Sequence, residues 1–114
     1  MTPTEQQILM MISSSEDSKA KAFRALQKVK TGEYEAARQL LVEAKKVDIE
    51  AHNAQTAMIS AALAADGEGS GSISLLEAHA QDHYMSAQLA RDLIEELVDV
   101  FEALDRKEHA SGGA

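Results

Sequence analysis

The sequence predicts an all-α protein, a three-helix antiparallel bundle, and three observations carry that expectation. Only 4% of residues are aromatic although 45% are hydrophobic, so the apolar set is mostly Ala, Leu, Ile, Val and Met. That set suits closely packed helices better than stacked sheets. The single proline is Pro3, so nothing downstream forces a helix to break. Apolar residues recur at three- and four-residue steps in three long stretches, divided at Thr31-Gly32 and at the glycine-serine run from Gly67 to Ser72. A chain of 114 residues holds one core, expected over residues 1–108, with a disordered tail over 109–114.

The first helix has a readable start. Thr2-Pro3-Thr4-Glu5 places a hydroxyl at the cap, proline at the first helical position and glutamate three residues after the cap. Ile8, Ile12, Ala22, Leu26 and Val29 form its stripe, and Thr31-Gly32 ends it. The middle of the stripe, Ser13-Ser14-Ser15-Glu16-Asp17, is poor, and a frayed or bent turn is expected there. The second helix is expected from about Glu33 to Ala65, with Leu40, Ala44, Val47, Ala51, Ala54 and Met58 on its apolar face. Gly67-Glu68-Gly69-Ser70-Gly71-Ser72 reads as a mobile loop. It lacks the GxxxxGK[ST] spacing of a phosphate-cradling loop, and no strand precedes it.

The third helix is expected from Ser74, where Ser74-Leu75-Leu76-Glu77 has the form of a capping box, to about Glu108. Its apolar positions include Leu89, Leu93 and Val100 on one side and Leu97, Val98, Phe101 and Leu104 on another. Three helices of one chain bury one stripe each. So wide an apolar face therefore predicts a further partner, and an oligomer.

Several classes are excluded. Without cysteine there is no disulfide framework, thiolate metal site or cysteine nucleophile. No apolar run approaches the ~20 residues of a membrane span. The N-terminus lacks a basic-then-apolar signal layout, so the expected location is the cytoplasm with no direct membrane insertion. A net charge of -8 argues against nucleic acid, which is bound by basic surfaces. Nine acids against three bases over residues 74–108 instead favour a basic face on a partner protein.

Chemistry concentrates in His79, Asp82 and His83. At ~100° per residue these three fall on one arc of the third helix, while Gln81 points away from it. A neutral imidazole is a nucleophile near pH 7 and can carry a phosphoryl group as a covalent intermediate. His79 also lies in the second turn from a helix N-terminus, where the dipole modestly favours an added dianion. The same residues could instead hold a metal, as i,i+4 histidines with Asp82. Ala80 and Gln81 stand where HExxH would require glutamate early, and no Glu-x-x-His pair of the di-iron bundles is present. A polar helix face with surface histidines is the third reading, and the residues alone leave all three open. His52, in Glu50-Ala51-His52-Asn53, reads as a satisfied, partly buried histidine rather than a second nucleophile.

The strings KAFRALQKVKTGEYEAARQLLVEA at 21–44, EAHNAQT at 50–56 and HAQDHYM at 79–85 carry a family resemblance. From about Glu5 to Leu104 the chain resembles the enzyme IIA component of the lactose/cellobiose (including diacetylchitobiose) family of the bacterial sugar phosphotransferase system. The resemblance implies a homotrimer forming a nine-helix bundle. It implies that His79 takes a phosphoryl group from the histidine phosphocarrier protein HPr and passes it to a cysteine of enzyme IIB, for a lactose-, cellobiose- or chitobiose-type sugar moved by IIC. Asp82 would lie toward the trimer axis and hold a structural divalent metal, with magnesium the expected ion. Gln81 and His83 would help to set the pocket. Asp82, Ser86, Leu89, Leu93 and Val100 form the candidate axial stripe.

Glu16 stands where the family often has a small glycine, Glu77 where an apolar residue is common, and Tyr84 in place of Leu. Glu77, two residues before His79, reads either as a charge that retunes dianion acceptance or as the third residue of the cap. A two-component phosphotransfer bundle would carry its histidine in an H-x-x-K-G context, which is absent here. A regulatory or structural trimer that keeps fold and partner binding without phosphoryl transfer is the alternative function.

Overall fold

The computed structural model describes residues 3–64 and 74–112, and these form three helices and no strand. They are α1 (Pro3–Lys30), α2 (Tyr34–Ala64) and α3 (Leu75–Gly112). The expected cap at Thr2 and the glycine-serine loop at 67–72 lie outside the described residues. Among the described residues, no helix is long and apolar enough to cross a membrane.

The first junction follows from Gly32, which takes φ +74°. Its N–H donates to Val29 O at 3.0 Å, and Glu33 N–H donates to Lys28 O at 2.9 Å. This is the paired closure in which a left-handed residue just past the helix satisfies two orphan carbonyls, a role suited to glycine. So short a turn sends α2 back antiparallel to α1. At the other end, Ser74 Oγ accepts from Glu77 N–H at 3.0 Å and donates to the Glu77 carboxylate at 3.2 Å, so the expected cap is present.

Two apolar clusters fill the bundle, and α1 packs against both other helices in each. Near the α1–α2 turn, Ala22, Ala25 and Val29 meet Ala37, Leu41, Ile94 and Val98. Toward the far end, Ile8 and Met11 meet Ala51, Ala54, Ala80 and Tyr84. The many alanines let backbones approach closely, which is how so few aromatics suffice.

Between the clusters lies a buried polar belt of Ser14, Ser15, Ser18, Asp48 and Arg91. The expected fray at Ser13–Asp17 is therefore corrected: α1 runs unbroken, and its serines are small residues at a helix crossing. Ser18 Oγ donates to Ala44 O at 2.8 Å in a buried setting. Ser18→Ala is expected to cost about 1 kcal/mol, read from the urea midpoint at constant slope. The belt also holds Asp48 and Arg91, paired to one another with 5% and 10% of their side chains exposed.

The third helix also departs from its expected end near Glu108. The tail expected to be disordered from residue 109 is helical to Gly112, and residues 113–114 lie outside the described residues. His109 Nδ1–H donates to Asp105 O at 2.8 Å, with the Asp105 carboxylate 3.1 Å away. That backbone bond, then the Asp105 charge, raises the His109 pKa. The bond from His109 to Asp105 O ties this turn to the one before it, and protonation of the ring adds an attraction to the negative end of the helix dipole.

Candidate functional site

The site lies at the N-terminal end of α3, on the cap that Ser74 makes. His79 is exposed, one turn beyond that cap, and shares an open hollow of about 520 Å³ with Leu75 and Leu76. Leu75 is 87% exposed, so the imidazole stands beside a bare apolar collar. One turn on, His83 brings its Nε2 to 3.0 Å from His79 Nε2, the two rings meeting edge to face with centroids 4.4 Å apart. His83 is half-buried because it leans on α1, where Glu16 accepts a hydrogen bond from its Nδ1. That bond, more than any other influence, holds the Glu16 carboxyl below the usual carboxylate range.

The remaining expected residues diverge. Gln81 turns toward α2, where its Oε1 accepts from Gln55 Nε2 at 2.8 Å, so it does not join the histidine pair. Asp82 is exposed, on the side of α3 where Ser86, Leu89, Leu93 and Val100 are also exposed. Glu77 lies with Gln81 in a separate hollow lined also by Met58, Ile59 and Ala62, and its cap bonds with Ser74 account for it. Of its two readings, the cap residue is the one the geometry favours.

His52 is bound elsewhere, its Nδ1 3.0 Å from the Tyr84 hydroxyl. Burial pushes the Tyr84 pKa up, so the phenol keeps its proton and shares a hydrogen bond with that nitrogen. The ring is exposed overall, less buried than expected, but it has a partner and stands outside the histidine cluster.

Glu16 is the residue that sequence reasoning missed as part of the site. It stands four residues after Ile12 on α1, in line with the apolar stripe, but its partner is 67 positions away. Among the described residues, no three His, Cys, Asp or Glu side chains of one chain gather as a metal would need.

An exposed imidazole backed by a second histidine, at the end of an all-helical bundle, admits covalent phosphoryl chemistry. A family model described as "PTS system, Lactose/Cellobiose specific IIA subunit" matches residues 6–102. The chain belongs to the lactose/cellobiose-specific IIA family of the sugar phosphotransferase system. IIA chains are phosphotransferase components that carry phosphoryl groups for sugar uptake, and this chain is one of them.

Relatives and solved structures agree with this membership. The N,N'-diacetylchitobiose-specific EIIA component of Escherichia coli (strain K12) is 36% identical over 100 residues, covering 88% of this chain and 84% of that one. A crystal structure of the PTS cellobiose-specific enzyme IIA from Bacillus anthracis superposes with a TM-score of 0.80 at 35% identity, covering 94% and 95% of the two chains. A solution structure of the IIA(chitobiose)–HPr complex of the Escherichia coli phosphotransferase system gives 0.78 at 33% identity, covering 92% of this IIA chain and 99% of that one.

Proposed function

We infer that this IIA chain works in the cytoplasm, taking a phosphoryl group from phospho-HPr on His79 and passing it to a cysteine of its cognate IIB. The sugar then phosphorylated during passage through IIC is of the lactose, cellobiose or chitobiose type. The observation that carries this reading is the exposed His79 ring, with His83 Nε2 at 3.0 Å and an apolar collar of Leu75 and Leu76 beside it. A macromolecular donor must bring its phosphohistidine to this ring, which a buried histidine would forbid. The collar gives the visiting face something to dry, and drying strengthens the charge interactions at the transferring group. Most of the remaining work is placement, since phosphoryl transfer between side chains depends chiefly on alignment. The acidic surface of α3 suits a basic partner face.

The test is stoichiometric uptake. Incubation with enzyme I, HPr and phosphoenolpyruvate is expected to add one phosphoryl per chain, lost in acid and kept in alkali. An acid-stable label, or none, would leave a regulatory trimer without phosphoryl chemistry as the better reading.

The bare stripe of α3 supports a homotrimer. Leu89 and Leu93 remain 68% and 55% exposed in one chain, on the side that carries Asp82. Three copies packed by that stripe would make a nine-helix bundle and gather three Asp82 carboxylates around one axis. Oxygen donors of this kind fit a hard divalent ion such as magnesium, in a structural role, with one ligand from each chain. Without an ion, a shared proton or water, the carboxylates would repel. Asp82→Leu is therefore expected to keep the trimer in size-exclusion chromatography and to raise its melting temperature or leave it unchanged. A monomeric variant would contradict the axial placement.

A further inference from the structure

The chain fixes the relative heights of its three helices unequally. The tight turn at Gly32 ties α1 to α2, so neither slides along the other without breaking it. Nine residues lie between Ala64 and Ser74, and a chain of that length reaches up to ~30 Å. Connectivity alone therefore leaves the height of α3 open.

The buried stripe of α3 repeats every seven residues, with Ala80, Ala87 and Ile94 in one row and Tyr84, Arg91 and Val98 in the other. Moving α3 by one heptad, ~10.5 Å, toward the Gly32 turn would put each residue where the one seven later now stands. Much of the packing would survive. Ala80 would replace Ala87 unchanged, and Arg38, which now meets Asp99 and Glu102, would find Asp92 and Glu95 in their places. The apolar losses would be Ala87 in the place of Ile94, and Glu77 in the place of Tyr84 toward the end of the bundle, where a long side chain still reaches water.

The polar belt would not survive. Asp48 on α2 and Arg91 on α3 pair with little exposure. After the move Asp48 would face Tyr84, and Arg91 would take the place of Val98, buried beside Leu41 and Val29. A stranded buried charge is strongly destabilising, whereas an intact buried pair adds little over well-packed apolar side chains. Such a pair discriminates between arrangements more than it strengthens any of them, as one buried asparagine does in a coiled coil.

We propose that the Asp48–Arg91 pair is a register lock: it holds α3 at the one height on the α1–α2 hairpin at which His83 meets Glu16. One heptad away, His83 would face Phe23 instead. The lock acts whatever His79 carries.

The chain has no cysteine, so two introduced cysteines and a short bifunctional thiol reagent report the height of α3. Arg38→Cys with Glu102→Cys reports the height described above, and Arg38→Cys with Glu95→Cys reports the height one heptad away. Each cysteine pair is placed in the whole chain, with the belt intact and with Asp48→Leu plus Arg91→Met. Denaturing electrophoresis separates links within a chain from links between chains.

With the belt intact, positions 38 and 102 link and positions 38 and 95 do not. With both belt residues replaced, the chain stays helical and folded by circular dichroism, the 38–95 link rises by at least ~10-fold and the 38–102 link falls. Arg91→Lys alone, which keeps opposite charges in the belt, links as the parent does.

A folded double variant that links like the parent overturns the proposal, because apolar packing then sets the height unaided. A double variant that no longer folds overturns it too, since the pair would be holding the fold together rather than choosing its register. Parent chains that link both position pairs equally, or Arg91→Lys chains that link like the double variant, overturn it as well.

Discussion

His79→Gln is expected to abolish phosphoryl uptake, lowering the rate by at least ~1000-fold, the scale on which loss of a nucleophile acts in enzymes. Glutamine has a similar reach and remains polar, but its amide nitrogen has no available lone pair to attack phosphorus. The side chain is exposed, so the substitution should leave stability within about 0.5 kcal/mol. His79→Gln therefore separates chemistry from folding. Circular dichroism and elution volume should match the parent, while the charge change on incubation with phospho-HPr disappears. A variant that still takes up one phosphoryl would move the nucleophile elsewhere.

The second large effect is on stability. Asp48→Ala is expected to destabilise the fold by about 3–5 kcal/mol, because it strands the buried Arg91 guanidinium in the polar belt. At the sensitivity of a domain this size, the melting temperature falls by roughly 15 °C, compared at one chain concentration. The pair is not an efficient source of stability, since Asp48 Oδ1 is buried with no hydrogen-bond partner in the described structure. Replacing both residues, as Asp48→Leu with Arg91→Met, should accordingly recover most of the loss or exceed the parent. Equal melting temperatures for the single and double variants would show that the pair is not what the belt depends on.

How much of this could be read from the residues differs by feature. Helix ends were legible because each has a local chemical cause: Pro3 at a first turn, Gly32 in left-handed backbone, Ser74 capping Glu77. His79 and His83 were legible as neighbours because i,i+4 spacing on a helix fixes their separation without any tertiary information.

Features that need the register between helices were not legible. Asp48 and Arg91 are 43 positions apart, and Glu16 and His83 are 67 apart. Each looks like a solvated charge until the helices are placed side by side. Ser14, Ser15 and Ser18 misled for a related reason: hydropathy reads serine as a weak core residue, whereas a close helix crossing selects for small size. Gln81 followed a motif on paper, but the helix turn that unites His79 with His83 points Gln81 at Gln55. His109 was assigned to a loose tail by its glycine-rich surroundings, while its bond to Asp105 keeps the last turns helical.

The reading of this chain as a phosphocarrier stands on a single atom's reactivity, and locating the modification tests it most directly. The chain is phosphorylated from phosphoenolpyruvate through enzyme I and HPr, digested under alkaline conditions that preserve phosphohistidine, and fragmented by tandem mass spectrometry. The expected result is one phosphoryl group on the peptide containing residues 79–85, assigned to His79. A phosphoryl group on His52, on His83 alone or on any serine would contradict the assignment, and an unmodified chain would contradict the function.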